Sequence, residues 1–195
     1  MSSRYAQAYV SELIEQAARD VGVTEAIHLG EIAPKQAKQP HVAVFMRLNP
    51  RLCIGTTAGL AARDTPLPVR EGFQYFELCA LTKFDHPQIL WLLSNVGLHM
   101  LATSSPTQYG EPGSEPEPFL PYETLRLGDD DSRMLLVPRW RFAVPMGPPV
   151  EVIEPLPIRA AQWEELAPIA REERGAWVAR LGPRSVEQWE MLFEE

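Results

Sequence analysis

Positive charge is scarce in this chain. Its 195 residues carry 18 Lys and Arg against 26 Asp and Glu, a formal net charge of −8. A protein that grips a nucleic-acid backbone needs a basic face, so the balance points away from nucleic acid. It fits a basic protein partner, or simple solubility. Cysteine is nearly absent. Cys53 and Cys79 each stand in an apolar, strand-like run, where reduced and buried thiols are expected. Residues 1–20 include Arg4, Glu12, Glu15, Arg19 and Asp20 and have no apolar stretch of the kind a secretory leader needs. That predicts a cytoplasmic protein, in a compartment that keeps thiols reduced. No purely apolar run is longer than Ile89–Leu93, far too short to span a bilayer, so no membrane partner is expected.

Catalytic signatures are missing as well. The histidines are His28, His41, His86 and His99, and no two are spaced to share a metal ion from one helix face, so no metal is expected. No Gly-x-Ser-x-Gly elbow occurs, and no glycine loop is followed by Gly-Lys-Ser/Thr to cradle a phosphate. Neither cysteine stands at a helix start, where a thiolate would be stabilised. No catalytic residue and no cofactor is therefore assigned, and the chain is expected not to be an enzyme.

Apolar residues make up 45% of the chain, as in an ordinary globular protein. The length suits one domain over residues 1–195. The 19 prolines fall in loops rather than repeats. Ala6, Tyr9, Val10, Leu13, Ile14, Ala17, Ala18 and Val21 recur at helical spacing, and Gly22 suits the position just past a helix end. Strands are predicted over 24–32, 41–48, 52–57 and 74–83, with a polar turn at 35–40 and a loop at 63–72. The second and third should be antiparallel because their link is short, and the fourth, apolar on both faces, should be central. Asp85 is placed to cap a helix with Pro87 in its first turn. That helix, 87–101, is apolar nearly all round and is expected to be buried. A long proline-rich loop covers 104–122. Short strands follow at 123–127, 133–137 and 150–156, with a further candidate at 140–144; the segment 145–149 is irregular. A helix with Trp163, Leu166, Ala170, Trp177 and Leu181 as its inner stripe comes next, its Glu164, Glu165, Glu172 and Glu173 facing water. Ser185 caps a last helix with Trp189 and Leu192 inward. Strands grouped in runs make this an α/β chain of the α+β kind: a mixed, mostly antiparallel sheet flanked by helices.

Two features stand out as candidate binding chemistry. Glu77 lies in the central strand, and a buried carboxylate needs a partner. The bland reading, an ion pair with an arginine such as Arg47, is favoured over a binding-site acid. The second feature is charge placement. Glu111, Glu115, Glu117, Glu123, Asp129, Asp130 and Asp131 face Arg126 alone over 111–131, a net −6 out of the chain's −8. Tyr109, Phe119 and Tyr122 interleave with them. Glu111, Glu115, Glu117, Phe119, Tyr122, Asp129, Asp130 and Asp131 are the candidate partner-binding residues, set against the plain alternative of a solvated, proline-stiffened loop.

The order of several motifs resembles the suppressor-of-fused-like domain, over about 41–181. Val42–Arg47 enters a turn, Thr57-Ala-Gly-Leu60, and Tyr75-Phe-Glu-Leu78 follows as the next strand. Trp91-Leu-Leu93 and Leu101-Ala102 sit on the central helix. Phe119-Leu-Pro-Tyr-Glu-Thr124 and the run from Pro157-Ile158 to Glu165 complete the series. The chain departs from the family at Tyr122-Glu123, where Gly-His is common, and at Lys83-Phe84-Asp85, where the strand usually ends in Leu-Pro. Short bacterial members look like immunity proteins of polymorphic toxin systems. The resemblance therefore implies a non-catalytic, stoichiometric protein binder, whose partner is a toxin domain, basic if the acidic loop is its site. Two other readings stand beside it: an adaptor or structural component of a secretion apparatus, and a small enzyme with a dispersed site around Glu77 and His41.

Overall fold

The structure, a computed structural model, describes residues 2–22, 26–33, 41–62, 67, 72–111, 113–126, 133–144 and 148–193. The first helix, α1, runs Ser2–Val21. It buries Tyr9, Leu13 and Ala17, a four-residue repeat on one face. Gly22, at φ 74°, ends it as the sequence predicts. Four strands follow as an antiparallel meander: β1 (Ile27–Ile32), β2 (Val42–Asn49), β3 (Leu52–Ala58) and β4 (Phe76–Thr82). The start predicted for β1 and the polar turn at 35–40 lie outside the described residues. So does most of the loop at 63–72. Asn49 fixes the β2–β3 turn, accepting from the Arg51 N–H and donating to the Gly22 carbonyl at the end of α1.

Helix α2 spans Pro87–Ser104 and a single turn, α3, spans Pro106–Tyr109. Three strands complete one seven-stranded sheet: β5 (Thr124–Arg126), β6 (Arg133–Ala143) and β7 (Pro149–Ile158). The order is β1-β2-β3-β4-β7-β6-β5. β4 pairs with β7 in parallel, and the other pairs among the described strands are antiparallel. The two short strands predicted at 133–137 and 140–144 are one strand. A register shift between Pro138 and Trp140 accommodates the proline, which has no N–H to give a ladder.

Both faces of the sheet are covered. On one, Ala43, Phe45, Leu78 and Ala80 meet Ile89, Leu90, Leu93, Val96 and Met100 of α2. On the other, Val44, Met46, Leu48, Ile54 and Val152 meet Tyr9, Leu13 and Ala17 of α1. Further along that second face, Leu135, Val137, Leu156 and Ile158 pack on Leu166, Trp177 and Val178 from α4 (Ala160–Leu166) and α5 (Arg174–Leu181). β4 is central and buried at every position, as predicted. Cys53 and Cys79 are both free and buried, and burial pushes each thiol above its ordinary value. They join the clusters on opposite faces of the sheet.

Four local expectations need correction. The helix stripe predicted from Trp163 to Leu181 is broken: α4 stops at Leu166, a 3-10 turn at Arg171–Glu173 intervenes, and Ala170 is exposed. Pro168 supplies the reason, since it has no N–H for a continuing helix. The last helix is instead two 3-10 segments, Gly182–Gln188 and Glu190–Leu192; Trp189 is fully buried, but Leu192 is exposed. The cap of α2 is His86 rather than Asp85, and no side chain bonds there.

The fourth correction concerns α2 itself. It is not buried all round. Gln88, Trp91, Asn95 and His99 are exposed, Trp91 at 49%. The sheet covers one side of the helix, and among the described residues no further layer covers the other. Leu93 and Trp91 therefore separate the two sides. Leu93→Ala is expected to cost about 2–5 kcal/mol, as for large-to-small changes in a core. Trp91→Ala is expected to cost under about 1 kcal/mol, because the ring is half in water already. Thermal or denaturant melts of the two variants check this, and equal losses would refute the assignment of sides. No helix among the described residues is long and apolar enough to cross a membrane.

Candidate functional site

Among the described residues, Glu77 is the acid with the most hydrogen bonds to its carboxylate. It is 0% exposed, on the α1 side of β4. Its Oε1 accepts from Tyr5 Oη at 3.0 Å, the Gly59 N–H at 2.8 Å and the Ala61 N–H at 3.0 Å. Its Oε2 accepts from Thr57 Oγ1 at 2.8 Å, and that hydroxyl in turn accepts the Leu78 N–H at 2.8 Å. The partner is thus the turn after β3 together with α1, not Arg47. Arg47 is an exposed residue opposite Cys53, and it lowers that thiol's pKa against the rise from burial. Local conformation explains the arrangement. Gly59 sits at φ 123°, where side chains are disfavoured, and so turns its N–H and that of Ala61 toward one carboxylate. Burial pushes the Glu77 carboxyl above its ordinary range, and its Ala61, Gly59, Thr57 and Tyr5 donors pull it part of the way back. Tyr9 lies alongside, bonded to Thr56 Oγ1 at 2.8 Å, and burial and the Glu77 charge push it well above the usual phenol value.

A second buried acid, Glu154 of β7, is also committed internally. Arg139 of β6 pairs with its Oε2. Trp189 Nε1 donates to its Oε1 at 2.8 Å, and the Leu81 N–H does so at 3.3 Å. This cluster ties the C-terminal segment to the two parallel strands. Lys83 strengthens the same tie from outside, through Glu187 at 3.0 Å and Glu190 at 3.6 Å.

The histidines do not converge. His41 is buried on the α2 side, its Nε2 2.8 Å from Ser94 Oγ. Glu77 faces α1, so the sheet separates the two residues that a dispersed catalytic site would need together. His28 is exposed beside Glu31, and His86 stacks on Phe193 with ring centroids 4.2 Å apart. Among the described residues, no group of three His, Cys, Asp or Glu side chains is placed to hold a metal ion.

The candidate partner-binding residues divide. Glu111, Glu115 and Glu117 are exposed on the segment after α3. That segment is tied down. The Glu117 N–H donates to the Thr103 carbonyl at 3.1 Å, Ser104 Oγ to the Glu117 carbonyl at 3.3 Å, and the Phe73 N–H to the Phe119 carbonyl at 3.1 Å. Gly72, at φ 105°, makes the last contact possible: a Cβ there would stand 2.5 Å from the Phe119 carbonyl oxygen.

Phe119 and Tyr122 are not free anchors. Phe119 is half-buried against the α2-side core, its ring 6.0 Å from His99. Tyr122 is half-buried at φ 62°; its N–H bonds the Leu136 carbonyl, its carbonyl accepts Arg174, and Gly175 lies against its ring. Asp129, Asp130 and Asp131 lie outside the described residues.

The exposed aromatic of this region is Trp91, which sequence reasoning missed. Its signal was present. The 18 residues of α2 hold no Asp, Glu, Lys or Arg, and Gln88, Asn95 and His99 are among its few polar side chains. They repeat at helical spacing and mark an outward stripe, and Trp91 falls among them. This stripe borders the acidic segment, through the Thr103–Glu117 bond and the His99–Phe119 contact. From Phe84 to Leu125 the sequence contains Asp85, Glu111, Glu115, Glu117 and Glu123 and not one Lys or Arg. The arrangement can present an uncharged helix face with one aromatic, bordered near Thr103 by acidic side chains on a tethered backbone, to another molecule. No family model, no curated protein and no solved structure matches this chain.

Proposed function

We propose that this chain is a non-catalytic protein-binding domain of suppressor-of-fused-like type, resident in the cytoplasm, and an immunity protein that neutralises a cognate polymorphic toxin by stoichiometric binding. The observation that carries the reading is the tethered acidic segment: Glu111, Glu115 and Glu117 project from a backbone fixed at residues 117 and 119, in a stretch without any cation. A backbone already tied down loses little freedom when a basic surface meets the side chains it carries, so preorganisation favours complex formation. They also attract such a surface over a Debye length of about 8–10 Å, which speeds encounter. The buried acids add support of another kind: Glu77 and Glu154 are engaged by internal donors, and each is 0% exposed.

The test is co-expression with the product of the neighbouring gene in a growth assay, followed by binding kinetics at two salt concentrations. Rescue is expected, with a one-to-one complex whose association slows as salt rises. Neutralising Glu111, Glu115 and Glu117 together should lower the on-rate more than it raises the off-rate. It should leave folding nearly unchanged, since exposed charges contribute only about 0–1 kcal/mol each. Absence of both rescue and complex would overturn the immunity reading; rescue with salt-independent kinetics would move the contact away from this segment.

A further inference from the structure

We propose that the outward face of α2 is a docking site for a basic amphipathic helix of a partner protein, with Trp91 as the apolar anchor and the acidic segment as the flanking charge. The inference deepens the function proposed above and rests on it for the existence of a protein partner.

The composition of α2 is the starting point. A helix at the surface of a water-soluble protein ordinarily turns charged residues outward. This one has none along 18 residues, yet Gln88, Trp91, Asn95 and His99 face solvent and Leu92 and Leu98 are half-buried. From Trp91 to Ala102 the stripe is about 16 Å long at 1.5 Å per residue. It is a convex helical ridge, and another helix is the element that packs along such a ridge, side chains into grooves. The occupant's charge follows from the border. Glu115 and Glu117 are exposed and the backbone of Glu117 is bonded to α2 itself at Thr103, so Glu117 starts from a fixed point beside the C-terminal part of the ridge, with Glu115 two residues away. A helix lying on the stripe meets an uncharged surface with Trp91 toward one end and half-buried Leu92 and Leu98 beside it, and negative charge at the end near Thr103, which selects apolar residues on one face and Lys or Arg beside them. A second copy of this chain fits poorly, because an isologous contact across this face brings like-charged segments together without a lysine or arginine from 84–125 to answer them. An exposed tryptophan in an uncharged surround is also the kind of side chain enriched at interface hot spots.

The probe is a synthetic Leu/Lys peptide of about five helical turns, with its leucines on one face. Two controls go with it: the same residues scrambled so that no stripe forms, and the striped peptide with Glu in place of Lys. Binding to the full chain is read by fluorescence anisotropy and by tryptophan emission. The striped Leu/Lys peptide is expected to bind and to shift emission to the blue, and both controls to bind at least about tenfold more weakly. Trp91→Ala should weaken the striped peptide about 10–30-fold and remove the shift, as loss of an aromatic anchor does. Glu115→Gln with Glu117→Gln should weaken it less and reduce its salt dependence. Equal binding by Trp91→Ala, equal binding of the scrambled peptide, or no binding at all would overturn the proposal. So would sedimentation showing a dimer that Trp91→Ala dissolves. Trp91→Ala is also carried through the growth assay with the neighbouring gene product. Full rescue and unchanged affinity there would leave the immunity function standing and discard this face as its site.

Discussion

Replacing Glu77 with alanine is expected to destabilise the fold by about 3–5 kcal/mol. The change strands the N–H groups of Gly59 and Ala61 and the hydroxyl of Thr57, all donors to a carboxylate that is 0% exposed. Each buried donor left unsatisfied costs about 1–3 kcal/mol. Glu77→Gln should cost much less. Its carbonyl oxygen can keep the three donors now on Oε1, and its amide can face Thr57, whose hydroxyl accepts as readily as it donates. Denaturant melts of both variants measure the difference, and equal losses would show that the bonds to this side chain carry little.

The same pair gives a pH signature. The native pKa of Glu77 is raised, so the fold holds its proton where the unfolded chain has released it. That stabilisation is fully present below the unfolded value, about 4.3, and is lost as pH rises through the native one. The stability of wild type relative to Glu77→Gln should therefore fall with rising pH across that window and then level off.

The second large effect is expected at Arg139. Arg139→Met leaves Glu154 fully buried with only Trp189 Nε1 and the Leu81 N–H as donors, at a cost of about 3–5 kcal/mol. The double variant, Arg139→Met with Glu154→Met, should recover part of that loss, because a buried ion pair replaced by apolar side chains is often close to neutral, while the buried Trp189 Nε1–H left without its acceptor still costs about 1–3 kcal/mol. A double-mutant cycle by chemical denaturation reads the coupling. If the double variant is as unstable as the two single losses summed, the pair is not coupled as the geometry requires.

These two sites also show where sequence reading stops. The helical stripe of α1, the turn glycine at 22, the antiparallel β2–β3 link and the central position of β4 are local or periodic properties, and each was legible. Glu77 was legible as a buried acid in need of a partner. Its partners were not, because they are backbone N–H groups presented by a turn and a hydroxyl from Tyr5, 72 positions away. A charged residue draws attention to other charged residues, and Arg47 was the wrong expectation for that reason. The helix α2 failed differently. Its high apolar content pointed to burial all round and outweighed the sparse stripe of Gln88, Asn95 and His99, the one periodic sign that a side of the helix faces water. Phe119 and Tyr122 were selected for keeping company with acids, yet both rings serve packing. Proline decided two boundaries: Pro168 broke a predicted helix, and Pro138 was absorbed by a shift in a strand predicted as two.

The parallel pairing of β4 with β7 has a consequence for how the chain is assembled. Leu81 and Glu154, bonded across that pair, are 73 positions apart, and β1 to β4 form an antiparallel meander with short-range contacts. During synthesis the meander can close early, and its last strand is then an open margin that is apolar on both sides. Such a margin is the template on which nascent chains pair with one another. The protein is most open to misassembly in the interval before β7 emerges, and the rate at which residues 83–148 are traversed sets how long that interval lasts.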